Sequence, residues 1–393
     1  MKICDVTQFY SPRSGGIKRF LNEKRLYVQR YTEDEHFLII PGEKNRYESQ
    51  GRLHVYTVRS PKVEKTSRYR IILNTPRVEA ILREINPDLI ESGDPYHLAW
   101  ICQKVGRQLH IPVCGFYHSH FPDAYLRTIL KYTGSWLRDA AMAYAQDYIV
   151  RLYSDFSRTF VPSQGLETVL RGWGLENLAT LPLGVDTEIF QPGPVDPELR
   201  REGGIPAEAK LLLYVGRLAP EKNVVTLLKA FEILHQNDPS YWLIVVGDGP
   251  LRRYLPEFRE RTQALVWKSY IDSPVELARY YRTCDLFVHP GICETFGLVT
   301  LEAQSAGVPV VGIRGSNMDS QVMAGLELWA QENNPQSLAR AIERMILQDR
   351  SVLGGKASER VQRDFGWKSV FDRLWIHYHQ SIEELATIQH LKG

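Results

Sequence analysis

What the chain lacks narrows it first. No apolar run in its 393 residues approaches the ~20 positions needed to span a bilayer, which excludes an integral helical membrane protein. Cysteine is scarce: Cys4, Cys102, Cys114, Cys284 and Cys293 form no C-x-x-C pair and no zinc spacing. An odd, scattered set excludes a disulfide scaffold and reads as reduced core thiols in a cytoplasmic protein. Net charge is nearly absent as well, at +2 from 48 basic and 46 acidic residues, so there is no nucleic-acid signature. The opening MKICDVTQFY is strand-like and lacks the apolar stretch of a signal peptide, which predicts a cytoplasmic chain. Low-complexity tracts, repeats of roughly 20–50 residues and a G-x-G-x-x-G fingerprint are also missing.

What is present is an alternation of short apolar runs with longer helical patterns, the mark of βαβ units and parallel sheets. In the first half, strands are predicted at Ile3–Val6, Phe37–Ile40, Leu53–Val58, Asp88–Ile90, Val113–Tyr117, Thr159–Val161 and Thr180–Leu181. Helices are predicted near Ile17–Arg30, Arg77–Ile85 and His97–Leu109. The aperiodic stretch from Pro182 to Pro194, rich in Pro and Gly, reads as an interdomain linker. A second series follows, with strands at Leu211–Val215, Trp242–Val246, Leu286–His289 and Val308–Val311. Its helices are expected at Val224–His235, Val275–Arg282 and Leu298–Ala306, and a last helix at Trp367–Leu385 has no strand partner. The expected fold is α/β, with Rossmann-like doubly wound domains over 1–190 and 191–366 and a closing segment over 367–393. In such sheets ligands sit beyond the carboxyl ends of the strands, so chemistry belongs in the loops that follow them.

Four constellations occupy such loops. In the first, Glu294 and Glu302 stand eight positions apart around the start of a helix, flanking Phe296-Gly297-Leu298. Free N–H groups at a helix start hold an anion, and flanking carboxylates accept hydrogen bonds from hydroxyls. A sugar nucleotide offers both; an acidic first turn plus one solvated glutamate fits the same letters. In the second, Gly216-Arg217 and Lys222 follow a strand, where either a glycine admits a ligand and two cations neutralise a departing diphosphate, or an ordinary β-turn glycine stands beside a solvated Glu221-Lys222 pair. In the third, Gly15-Gly16 precedes the first helix and either presents N–H groups to an anion or makes a tight turn. In the fourth, His118 and His120 with Asp123 end a first-domain strand. Without a third His or Cys at ligand spacing they read as sugar hydrogen-bonders, His118 foremost, and no metal is expected.

Taken together these residues resemble a known family. Gly15-Gly16, Tyr117-His118-x-x-Phe-Pro, Gly184-Val185-Asp186, Gly216-Arg217 with Glu221-Lys222-Asn223, Gly247-Asp248-Gly249-Pro250 and Glu294-x-Phe-Gly-Leu with Glu302 occur in the order of the GT-B-fold, retaining glycosyltransferases of family 4. The resemblance spans essentially the whole chain and is similar to the branch that glucosylates, sulfoquinovosylates or mannosylates lipids. It implies two domains facing a cleft and a C-terminal helix crossing back to the first. The first domain is expected to hold a lipid, glycan or small hydroxyl acceptor, and the second a UDP- or GDP-linked hexose, UDP favoured, with no prosthetic group. Arg217 and Lys222 would bind the diphosphate, and Glu294 with Phe296, Gly297 and Leu298 the donor sugar. Glu302 would hold the ribose, His118 the transferring sugar, and Gly15, Gly16 and Gly216 would approach the phosphates. The leaving diphosphate would deprotonate the acceptor on the same face and retain configuration.

Two departures stand out: Gly312–Gly325 replaces the usual Gly-Gly-x-x-Glu loop, and Gln304 stands where the family often has Met. The base pocket, expected around Val266–Tyr270, carries nothing that separates uracil from guanine. Competing readings are a GT-B phosphorylase or sugar-nucleotide epimerase, and a non-catalytic binding protein on the same fold. Residues 1–190 carry 25 basic and 21 acidic side chains, +4, against −2 for the remainder. Lys62, Lys65, Arg68, Arg70 and the aromatic, basic stretch Tyr125–Arg138 fit peripheral contact with anionic lipid or a helix packed on its own sheet.

Overall fold

The computed structural model describes residues 1–10, 16–62, 70–117, 135–292, 294, 296–315 and 317–391. It divides into two compact units, one of Met1–Leu183 with Trp367–Gly393, the other of Gly184–Gly366.

Among the described residues the first unit is built on eight strands: β1 Lys2–Val6, β2 Glu35–Gly42, β3 Arg46–Gln50, β4 Leu53–Arg59, β5 Leu89–Ser92, β6 Val113–Phe116, β7 Arg158–Val161 and β8 Leu178–Thr180. Their order is β3-β4-β2-β1-β5-β6-β7-β8. Every pairing is parallel except β3 with β4. β3, with the sequence RYESQ, is exposed along its whole length and has no apolar pattern to announce it; backbone pairing at the sheet edge makes it a strand. The central strands are buried on both faces, as parallel strands covered by helices must be. One face is covered by an apolar cluster that includes Val78, Ile81, Leu98 and Cys102. The other is covered by helices Gly16–Tyr31 and Trp367–His390, where Phe20, Tyr27 and Val28 pack with Trp367, Phe371, Leu374 and Trp375. The C-terminal helix is therefore part of the first unit's core.

Charge is sealed beneath it. Lys24 Nζ reaches Asp5 Oδ1 at 2.8 Å, Glu91 Oε1 at 2.9 Å and the Tyr378 hydroxyl at 2.7 Å, and His36 Nε2 is 2.5 Å from Asp5 Oδ2. Lys24 and His36 are 0% exposed and Asp5 and Glu91 2%. Four cysteines, Cys4, Cys102, Cys114 and Cys284, are buried and unpaired, and Cys293 lies outside the described residues.

The second unit holds β9 Lys210–Val215, β10 Tyr241–Val246, β11 Leu265–Lys268, β12 Leu286–His289 and β13 Val310–Gly312, ordered β11-β10-β9-β12-β13 and parallel throughout. β11, half-exposed and only four residues long, is a strand the apolar pattern alone does not reveal. Residues 184–192, read from sequence as the end of one domain and a linker, pack within this unit. Val185 N donates to Phe365 O at 2.8 Å, Phe190 is buried, and Ser305 Oγ donates to Phe190 O. Among the described residues no helix is long and apolar enough to cross a membrane.

Candidate active site

Because all five strands of the second unit run the same way, the loops after β9, β10, β11, β12 and β13 leave from one edge of the sheet. The first two cross backbone on backbone. Gly216 N donates to Val246 O at 2.9 Å and Leu218 N to Asp248 O at 3.0 Å. A Cβ at Gly247, where φ is 148°, would stand 1.9 Å from Gly216 O, so only glycine permits the crossing. The Tyr214 hydroxyl then donates to Arg217 O at 3.0 Å and fixes the turn. Arg217 itself projects outward, its side chain 68% exposed and its guanidinium only 3.8 Å from Glu221.

After the 3-10 turn Pro220–Lys222, Asn223 adopts a left-handed conformation and starts the helix Val224–Asn237. Its side-chain amide donates to Pro290 O at 3.0 Å, stapling the Lys222 loop to the loop after β12. That staple brings Lys222 Nζ onto Glu294 Oε2 although the residues are 72 positions apart. His289 Nε2 lies 3.4 Å from the same oxygen. Burial pushes the Glu294 carboxyl up, but the Lys222 charge and the His289 ring outweigh it and hold the group well below the usual carboxylate range.

Beyond Glu294 the chain turns at Gly297 with φ 80°, where a Cβ would stand 2.5 Å from Met318 Sδ. The helix Leu298–Ser305 begins there, with Phe296 buried beside it and Leu298 half-buried. Glu302 is 3% exposed and accepts the Tyr281 hydroxyl at 2.9 Å. A solvated helix glutamate is thus not what stands there, and Glu294 is held by two groups rather than decorating a first turn.

The two departures noted in the sequence meet in space. Gln304 Nε2 donates to Gln321 O at 2.9 Å, and Gln304 Oε1 accepts from Met323 N at 2.7 Å. A methionine there could make neither bond, so the glutamine is matched to the altered loop after β13. In the Val266–Tyr270 segment, Trp267 Nε1 donates to Gly247 O at 2.8 Å and Tyr270 is 73% exposed.

In the first unit Gly16 is exposed at the start of its helix, whereas Gly15, His118 and His120 lie outside the described residues. Sequence reasoning missed a polar group at the ends of β1 and β5. Asp94 accepts from the Thr7 hydroxyl at 2.6 Å and from Gln8 N at 2.8 Å. Burial pushes its carboxyl up to about 6 despite those bonds. The available signal was Gly93-Asp94-Pro95, a turn directly after an apolar strand. Among the described residues no three His, Cys, Asp or Glu side chains gather as metal ligands.

Residues 15–189 match the model of Glycosyltransferase Family 4, and residues 195–361 that of Glycosyl transferases group 1. A GDP-mannose-dependent alpha-mannosyltransferase of Corynebacterium glutamicum is 28% identical over 96% of this chain and 88% of its own length. A GDP-mannose-dependent alpha-(1-6)-phosphatidylinositol dimannoside mannosyltransferase of Mycobacterium tuberculosis is 26% identical over 88% of each chain. Among solved structures, Anabaena HepE in complex with UDP shares the fold with a TM-score of 0.75 at 18% identity, covering 97% of this chain and 100% of that one. The expected preference for UDP over GDP finds no support in the two relatives. The chain belongs to the family 4 glycosyltransferases of GT-B fold and is a hexosyltransferase that uses a nucleotide sugar.

Proposed function

We propose that the protein is a retaining hexosyltransferase that carries a hexose from a GDP-linked donor to the hydroxyl of a lipid acceptor. The Lys222–Glu294 pair beside the start of helix Leu298–Ser305 carries this reading: a cation for the diphosphate and an ionised carboxylate for the sugar hydroxyls stand at one sheet edge. Lys222 and Arg217 meet the charge that develops on the leaving diphosphate, which is where electrostatic stabilisation contributes most to catalysis. Phe296, Gly297 and Leu298 border the sugar, Gly216 lets the phosphates approach, and Glu302, oriented by Tyr281, takes the ribose. The C1–O bond to the diphosphate breaks as the acceptor oxygen bonds to C1 on the same face. The acceptor's proton passes to a diphosphate oxygen. The family resemblance assigns His118 to the transferring sugar and Gly15-Gly16 to the phosphates; of these only Gly16 is among the described residues.

The guanine base is favoured because both relatives above are named as GDP-mannose-dependent. The lipid acceptor is favoured by the phosphatidylinositol mannoside in the second name. Trp136 and Tyr144, 79% and 74% exposed and two helical turns apart on helix Ser135–Ser154, support peripheral contact of the first unit with anionic membrane. The decisive experiment is a thermal-shift panel of GDP- and UDP-sugars, followed by donor hydrolysis. A donor at ~100 times its Kd stabilises by about 2.7 kcal/mol. GDP-mannose is expected to give the largest shift, and a panel with no shift from any nucleotide sugar sinks the reading. Co-sedimentation with liposomes, with and without anionic lipid, tests the membrane contact.

A further inference from the structure

His289 is the last residue of β12, after Leu286, Phe287 and Val288, and is 2% exposed. An apolar side chain would fill that position, and a buried polar ring lowers stability unless it is used. Its Nδ1 is buried with no hydrogen-bond partner among the described residues. Room for the ring comes from Gly291, where a Cβ would stand 2.9 Å from His289 Cε1. On its other side the ring points Nε2 at Glu294 Oε2, 3.4 Å away. An ionised carboxylate only accepts hydrogen bonds, so Nε2 must carry the hydrogen.

That oxygen already accepts from Lys222. Here lies a conflict within the proposed donor site: the ammonium that is to meet a diphosphate is engaged by Glu294. If Lys222 turns to the phosphates, a carboxylate whose side chain is only 17% exposed loses its cation. Some other group must hold it.

We infer that His289 is a positioning residue that retains Glu294 when the donor's diphosphate draws Lys222 away, so that the Lys222–Glu294 pair can open. This inference rests on the reading of the loop cluster as a nucleotide-sugar site. β12 is an interior strand and Asn223 ties Pro290 to the Lys222 loop, so the backbones carrying the three residues keep their spacing while the Lys222 ammonium swings. Without His289, Glu294 keeps Lys222 for itself, and affinity for a diphosphate falls.

Calorimetric titration of GDP and UDP into the full chain tests this with wild type, H289F, H289Q, E294Q and H289F/E294Q. H289F fills the space but cannot donate, and is expected to weaken binding by about 10-fold or more, a hydrogen bond to a charged group. H289Q places an amide N–H near the former Nε2 and should recover most of that loss. In the E294Q background, where Lys222 is already released, H289F should change little. A ring that only fills the core predicts the reverse order, Phe tolerated and Gln damaging. H289F binding within about twofold of wild type, H289Q as poor as H289F, or an undiminished effect of H289F on top of E294Q each overturns the inference. Should H289F not fold by thermal melting, a tenfold loss in H289Q overturns it and near-wild-type binding in H289Q supports it. If wild type binds neither nucleotide, the donor-site reading fails and this inference with it; wild-type binding with unresponsive variants removes the inference alone.

Discussion

Of the lysines that meet carboxylates among the described residues, Lys24 and Lys222 do opposite things. Lys24, in the first unit, touches Asp5, Glu91 and the Tyr378 hydroxyl with no surface left to solvent. Lys222, in the second, meets one carboxylate with its side chain 28% exposed, at the open edge of a sheet. Nearly the same chemical groups form a clamp in one place and, in the reading proposed above, a site in the other. The difference lies in what surrounds them. Lys24 is enclosed by β1, β5 and two helices, so its bonds can be exchanged for nothing. Lys222 is on a loop that follows a strand, where a ligand's oxygens can compete for it.

The comparison breaks most visibly at Lys24. Lys24→Met leaves Asp5 and Glu91 buried without their ammonium, a loss of ~3–5 kcal/mol in unfolding free energy. Urea denaturation measures it, and a loss no larger than that of a surface substitution would remove the clamp. Lys222→Ala should do the converse. Turnover with the best donor is expected to fall by ~100–1000-fold, as when a group stabilising transition-state charge is removed. The melting temperature should barely move, because Lys222 is partly exposed and His289 still holds Glu294.

A third test uses pH. Burial pushes the Glu91 carboxyl up to about 7, against the Lys24 charge and the Tyr378 hydroxyl. A folded-state value above the ordinary 4.5 means that the native state holds the proton longer, so this group's contribution to stability declines as pH rises from about 4.5 to about 7. Glu91→Gln has no such proton to lose. Relative to wild type the variant should gain stability between pH 5 and pH 8, and parallel pH profiles would contradict this. Glu294 has the opposite sign. Held ionised below the usual range, it contributes stability above its unfolded value that is lost only in strong acid. The smallest effect is expected from Tyr281→Phe. Removing the hydroxyl from Glu302 should weaken nucleotide binding by less than about 10-fold, one hydrogen bond's worth, with the fold intact. Unchanged affinity by titration would detach Tyr281 from the site.

Much of the fold was legible because parallel strands buried on both faces are written in unbroken apolar letters. Leu211–Val215 and Leu286–Val288 are such runs, and His97–Leu109 is a helix with the same bounds in sequence and structure. β3 and β11 were illegible for the complementary reason: one is polar and exposed, the other short and half-exposed, and only a neighbouring strand makes either one regular. The two units divide between Leu183 and Gly184, inside the stretch read as a linker, yet the stretch packs: Pro and Gly signal a lack of regular structure, not a lack of packing, and Phe190 is buried. Of the site, the letters showed Glu294, Arg217, Lys222 and Glu302 in order. They did not show that Lys222 and Glu294 touch, that Glu302 faces inward to Tyr281, or that Gln304 answers the altered loop at 321–323.

The amino-acid sequence by itself determined the chemistry on offer: apolar strands, glycines where backbones cross, and cations and carboxylates placed after strands. Periodicity and composition are local properties, so they can be read along the chain. Which carboxylate meets which lysine, and whether water can reach the pair, was decided only by the tertiary structure. Such contacts join residues 19 positions apart in one unit and 72 in the other, and burial sets their strength. That is why Lys24, unremarked in the sequence, lies at the heart of one unit, while Lys222, conspicuous in it, remains at a sheet edge that water can reach.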